Sequence, residues 1–344
     1  MKKLHLSSLA VAVALTLAAC GGSSSSDPEP PPPPPPPPEP STLAFGGTAI
    51  KGTLINALVE VFAADDIEQT TVLASGQTDA NGDYSIEVTD ASGDPIVGAF
   101  VVRITADDDT TMICDALVCE GGVQGEAVPV ANLELSTITY SDESGTVDAD
   151  INVLTTLATE TIISAATVEG TEIDLSTITV EELTEVQGDA SEIIGAVLGV
   201  DLSETNLFDV EIVDASTSAD VSTDDATAAT LTVINASFSS LDVGDGETLG
   251  DVIVDYVAAV TEVTTILIEN ADADVGLEAA EALVIIQETQ AEIAEEVIDI
   301  TTVIEQDTGV DVPVAEVPTT VDPDDIADTV GDVTGTGGTG GTDG

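Results

Sequence analysis

The chain has 344 residues, 66 of them Asp or Glu against four Lys or Arg, and a formal net charge of −62 at pH 7. Displacing counterions from phosphate needs basic groups, so this charge excludes nucleic acid as a partner, and electrostatic attraction to anionic lipid with it. A hydrophobic content of 43% nevertheless separates the chain from disordered polyanions, which combine high charge with low hydrophobicity.

Met1-Lys2-Lys3 is a short basic start, Leu9 to Ala19 an apolar run, and Leu17-Ala18-Ala19-Cys20 a small-residue close. A membrane-spanning helix needs about 20 apolar residues, so residues 1–19 read as a secretory signal. Its end resembles the L-A-A-C lipobox of bacterial lipoproteins. That resemblance implies that Cys20 becomes the lipidated first residue of the mature chain, carrying acyl chains such as palmitate. Each buried methylene contributes about 0.8 kcal/mol of anchoring. An ordinary signal cut nearby is the alternative. Gly21 stands where, by resemblance to enterobacterial sorting, an aspartate would favour the inner membrane. The expected address is therefore the outer membrane, on its periplasmic face or at the cell surface.

Removing the signal removes Lys2, Lys3 and the one histidine, His5. The mature chain then has Lys51 and Arg103 as its basic residues and no histidine. Ser-His-Asp and Cys-His nucleophile systems, histidine metal sites and the usual base near neutral pH are excluded. Carboxylate-pair chemistry stays open. Self-repulsion on this scale is relieved by salt, which points to a marine or halophilic source, or to divalent cations as partners.

Residues 20–42 read as a tether. Gly21 to Ser26 is flexible, and the run Pro30 to Pro38 forms a stiff spacer of about 3.1 Å per residue. A proline ligand for a recognition module is the other reading of that run.

From residue 43 to 145 the pattern is β. Apolar residues alternate in Leu58-Val59-Glu60-Val61-Phe62, Tyr84-Ser85-Ile86-Glu87-Val88, Phe100-Val101-Val102-Arg103-Ile104 and Leu133 to Ile138. Asn81-Gly82 favours a tight hairpin and Ser92-Gly93-Asp94-Pro95 breaks the next run. Short strands with regular turns predict a β-sandwich. Ile50-Lys51-Gly52-Thr53-Leu54, Ala57 to Val61 and Thr78-Asp79-Ala80-Asn81-Gly82-Asp83-Tyr84-Ser85-Ile86 resemble the carboxypeptidase regulatory-like family. The resemblance covers roughly 100 residues. It implies an Ig-like or transthyretin-like sandwich with a structural or binding role, and no catalytic residues.

From residue 146 to 312 the period moves toward 3.6, predicting an acidic, mainly helical domain and an α+β chain overall. Thr179-Val180-Glu181-Glu182 is a capping box opening a helix that Gly199 closes. Leu231, Ile234, Phe238 and Leu241 form one stripe, and Leu249, Val252 or Ile253, Tyr256, Val260, Val263 and Leu267 another. Ile286, Ile293 and Ile300 recur every seven residues, with Gln290 interrupting the companion row of Leu283, Val297 and Ile304. Such stripes suit a bundle or a coiled pair. The β-branched content of Val252 to Ile268 leaves a strand open there. Asn152 to Ala158 resembles a P-L-T-T-L-A segment of bacterial surface proteins, with Val153 in place of proline. Residues 313–344, rich in Pro, Thr, Asp and Gly, read as a disordered tail.

Three sets of side chains are candidates for chemistry. Cys114 and Cys119 predict a short-loop disulfide in an exported protein, since their spacing lacks the C-x-x-C redox form. Asp79, Asn81 and Asp83 offer alternating oxygens for calcium, a spacing that is not that of an EF-hand; Asp107-Asp108-Asp109 is a carboxylate run, and Asn270 to Asp274 repeats the alternation. Turn residues and a solvated acidic face are the bland alternative. Lys51 and Arg103 are expected to be counter-charges for nearby carboxylates, with an active-site role for either as the alternative. Together these readings describe a non-enzymatic, lipid-anchored envelope or surface protein that presents a structural or adhesive module to envelope or matrix proteins. A calcium-dependent assembly subunit and a carboxylate-pair enzyme acting on a glycan are the alternatives.

Overall fold

A computed structural model of the chain describes residues 38–142, 145–171, 173–244, 246–270 and 273–333. The signal, Cys20, most of the tether, Asp272 and the end of the tail lie outside them. Thirteen strands and seven helices among the described residues make a mixed α+β fold. The strands begin with β1 (Ser41–Ile50), β2 (Leu54–Ile55), β3 (Leu58–Ala63), β4 (Ala74–Gln77), β5 (Asp83–Asp90), β6 (Gly98–Thr105) and β7 (Thr111–Ile113). They continue with β8 (Val118–Cys119), β9 (Gly122–Val123), β10 (Ala127–Pro129), β11 (Glu134–Ser141), β12 (Thr146–Asp148) and β13 (Ile151–Asn152). The helices are α1 (Val153–Thr167), α2 (Val180–Leu198), α3 (Ala226–Ser237), α4 (Leu249–Glu269), α5 (Val275–Glu278), α6 (Ala280–Thr308) and α7 (Pro323–Val333).

The alternating runs pair into two four-stranded sheets. In one, β5 pairs antiparallel with β1, and β12 and β13 pair parallel with it. The other is antiparallel throughout, in the order β11-β6-β3-β4. Phe45 of the first meets Phe100 of the second edge to face at 5.2 Å, and Val59, Val61, Tyr84 and Ile86 are all buried in the same core. Gly82 adopts φ +78°, open to glycine without strain, and Asp79 Oδ1 accepts the Asn81 N–H at 2.7 Å. The tight turn expected at Asn81-Gly82 is present, but it closes no hairpin. β4 pairs with β3 and β5 with β1, so the turn carries the chain from one sheet to the other.

Two expected boundaries move. β1 starts at Ser41, inside the expected tether, and β12 and β13 extend the first sheet to Asn152, past the expected end of the β region. The described residues form a single compact unit, with one hydrophobic core running through strands and helices.

Side-chain hydrogen bonds stitch the helices to the sheets. Asn152 caps α1, accepting from the Leu154 and Thr155 N–H groups at 2.9 Å. Thr156 Oγ1 accepts the Ser136 N–H of β11 at 2.9 Å, and Thr155 Oγ1 lies 3.1 Å from the Ser136 carbonyl. The paired threonines thus complete the edge of β11 and fix α1 against it. Thr179 and Glu182 form the expected capping box of α2, and Gly199 ends that helix at φ +69°. A Cβ there would lie 2.2 Å from Pro318, so the strap after α6 seats on this glycine. The segment Val252–Ile268 is helical, within α4. The two stripes predicted for residues 231–267 are buried, through Ile253 and with Val252 half-buried, as are Ile286, Ile293 and Ile300.

Residues 313–333 are a correction to the expected disordered tail. Val317, Val321, Ile326 and Val330 are buried. Pro323 opens α7, where its missing N–H costs nothing, and Asp322 accepts the Asp324 N–H at 3.0 Å. Gln290, which interrupts an apolar row in the sequence, is fully buried in α6 and donates to the carbonyls of Leu198 and Pro318, both at 3.0 Å. Its polarity serves the strap.

Candidate functional site

Register brings three polar side chains abreast on the second sheet. Glu60 of β3 faces Arg103 of β6, and Arg103 faces Ser136 of β11. Arg103 Nη2 donates to Glu60 Oε2 at 3.0 Å, and its guanidinium lies 4.6 Å from the centre of the Phe62 ring, a cation–π distance. Ser136 Oγ donates to Glu160 Oε1 of α1 at 3.2 Å. Arg103, Ser136 and Glu160 form the polar floor of a cleft of about 630 Å³ between the second sheet, α1 and α4. Val254, Val257, Ala258 and Ile266 of α4 supply an apolar wall, with Thr261, Thr265 and Glu262 interspersed. Glu68 and Gln69 close one end from the β3–β4 loop.

Burial pushes the Glu160 carboxyl up; the Glu134 charge adds to that, while the Ser136 hydroxyl and Arg103 oppose it. The raised value favours the protonated form, which donates a hydrogen bond as well as accepting one. Arg103 Nε and Gln69 Oε1 are buried there without a protein hydrogen-bond partner. The volume falls in the roughly 300–1,000 Å³ of small-molecule sites, and the mixture of apolar wall and few polar groups is theirs too.

Lys51 occupies a second polar cluster, fully buried, in the β1–β2 turn. Its Nζ lies 3.6 Å from Asp115 Oδ1 and donates to the Asn235 carbonyl at 2.9 Å and to Ser239 Oγ at 2.5 Å. Ser239 Oγ donates in turn to Asp115 Oδ1, and the Gly52 N–H to Asp115 Oδ2 at 2.7 Å. Asp214 accepts the Thr53 N–H and hydroxyl at 3.2 and 2.5 Å nearby. Burial pushes the Lys51 ammonium down and the Asp115 carboxyl up, and each partner's charge only partly offsets this. Taking ions out of water costs several kcal/mol each, so the pair is an expensive counter-charge.

Cys114 and Cys119 are joined in a disulfide, closing a short loop that contains Asp115. A loop this size stabilises by about 2 kcal/mol in the chain-entropy model. The expected calcium ligands sit on exposed turns. Asp79 Oδ1 takes the Asn81 and Asp83 N–H groups, and Asp107 Oδ1 takes that of Asp109. Among the described residues no three His, Cys, Asp or Glu side chains stand together as a metal-binding group.

Sequence reasoning singled out Lys51, Arg103 and the cysteines, each rare in this chain. It missed Asp115, Glu160 and Ser239. Glu160 did carry a signal, being the one charged residue between Asp150 and Glu169. Asp115 carried another, since it directly follows a bridged cysteine. The chain matches no protein-family model and no curated protein.

Proposed function

We propose that the chain is a bacterial lipoprotein, anchored through Cys20 to the outer membrane, whose folded part is a binding module. In this reading the two sheets are a sandwich of the carboxypeptidase regulatory-like kind, braced by the helices. The observation that carries it is the cleft over Arg103 and Glu160, which has the size and lining of a ligand site and none of the histidine chemistry of common hydrolases. The disulfide supports an oxidising, exported compartment. Glu60, Glu68, Glu134 and Glu262 around the cleft disfavour anions, so the fitting ligand is uncharged, with hydroxyl or amide groups for Arg103, Gln69 and Glu160. Labelled palmitate should enter the wild-type chain and not Cys20→Ser, and protease added to intact cells should digest the body. A chain untouched until the outer membrane is opened removes the surface-display reading. In the purified protein, Ala258→Trp should fill the cleft and abolish thermal shifts produced by neutral oligosaccharides or peptides. A shift that survives in the variant places binding elsewhere.

The Glu160 carboxyl, pushed up by burial and by the Glu134 charge, also favours a second reading, a carboxylate-pair glycan hydrolase. Glu160→Gln would then abolish turnover of an oligosaccharide, whereas a binding module shows no turnover to lose.

A further inference from the structure

We propose that Lys51 and Asp115 condense to an intramolecular isopeptide bond, an amide between Lys51 Nζ and Asp115 Cγ that locks the β1–β2 turn to the disulfide loop. Both side chains are fully buried, and Nζ stands 3.6 Å from Oδ1, in direct contact with the carboxyl group whose carbon it would attack. Burial favours the uncharged forms of both, and those are the forms that react: a free amine and a carboxylic acid. The nearby Asp214 charge opposes this for Lys51 and reinforces it for Asp115.

The neighbours match the reaction. An uncharged amine has two hydrogens, and Nζ has two acceptors beside Asp115, the Asn235 carbonyl and Ser239 Oγ. Its lone pair is then left for the carboxyl carbon. As the Nζ–Cγ bond forms, charge develops on Oδ2, which the Gly52 N–H already holds at 2.7 Å. Ser239 Oγ contacts both Nζ and Oδ1, so it takes a proton from the nitrogen and passes its own to Oδ1. The Cγ–Oδ1 bond breaks, Oδ1 leaves as water, and the amide remains. The step is a condensation: no electrons are transferred and no co-reactant is consumed. The disulfide between Cys114 and Cys119 holds Asp115 in place on the opposing side. This inference is independent of the cleft and of the anchor.

Peptide mapping of the full chain by mass spectrometry, after denaturation, reduction and digestion with an acid-specific protease, tests it. The expected product is one branched peptide joining the Lys51 and Asp115 segments, lighter than their sum by one water. Asp115→Asn should lose ammonia instead and yield a branched peptide of the same mass as wild type. Lys51→Arg should give separate linear peptides, and Ser239→Ala should leave a larger unreacted fraction. Wild-type peptides found separate, each at full mass and with the Lys51 amine open to acetylation after denaturation, would overturn the proposal. That result is read from the wild type alone, so it holds even where a variant fails to fold.

Discussion

Glu160 accepts the Ser136 hydroxyl at 3.2 Å while burial holds its carboxyl above the ordinary range. Between the ordinary glutamate value and the raised one, the native state carries a proton that the unfolded chain has lost. Stability therefore falls as pH rises through that window, and is fully present below it. Glutamine keeps an acceptor for Ser136 and never ionises. Glu160→Gln should leave the urea midpoint unchanged at pH 4 and raise it at pH 7, so that the two curves diverge with pH. Parallel curves would mean that Glu160 is solvated in the native protein. The same residue shows why a site of this kind is hard to read in a chain with 66 acids. Its chemistry comes from the environment that β11, α1 and α4 build around it, and no local motif encodes that. Arg103 was conspicuous because cations are scarce, but its neighbours Glu60 and Ser136 come from strands 33 or more residues away and are set by register alone.

Local signals located the elements whose ends are chemically marked. The Thr179–Glu182 capping box and Gly199 delimit α2 to the residue, and the stripe from Leu249 to Leu267 is the buried face of α4 despite its β-branched content. Thr179→Ala should cost about 1 kcal/mol in denaturant unfolding, the ordinary worth of an N-cap. What composition hid was the end of the chain. Proline, threonine and aspartate in 313–333 read as disorder, yet Pro323 and Asp322 are start signals for α7, and Val317 and Val321 just before them are anchors. The destination of those anchors, over the end of α2 and the polar gap at Gln290, is a tertiary fact invisible to a local window. Ile326→Ala removes a fully buried side chain and should cost about 2–4 kcal/mol. No loss would mean that α7 does not dock. Gln290→Leu should cost about 2 kcal/mol, because it strands the Leu198 and Pro318 carbonyls away from water. The turn at Asn81-Gly82 shows the same limit from the other side. A tight turn is local and was legible, but which sheet each flanking strand joins depends on partners far along the chain.

At the scale of the whole molecule the governing quantity is uncompensated charge. Two contacts between a basic side chain and a carboxyl occur among the described residues, Lys51–Asp115 and Arg103–Glu60, against a formal net charge of −62. Unit charges 10 Å apart in water repel by about 0.4 kcal/mol, falling to about 0.1 at a Debye length of about 8 Å and to almost nothing at about 3 Å. Summed over dozens of neighbouring carboxylates and reduced by the repulsion that persists in the unfolded chain, this leaves a few kcal/mol for salt to recover. Each kcal/mol moves the midpoint of a domain this size by about 2–4 °C, so raising NaCl from 0.15 M to 1 M should raise Tm by about 5–10 °C. Partial burial, with Glu185 and Glu192 beside it, pushes Asp189 up to about 6. It holds a proton in the native state that the unfolded chain gives up, so stability is lost as pH rises from the ordinary carboxylate range to about 6, and mild acid should raise Tm as salt does. Calcium distinguishes screening from a site. If the ion only screens, Tm should follow ionic strength and NaCl should match CaCl2 at equal strength. If Asp79, Asn81 and Asp83 hold it, Tm should rise and saturate near the roughly 10⁻⁴–10⁻³ M typical of extracellular calcium modules, and Asp83→Asn should remove that step while leaving the response to NaCl intact.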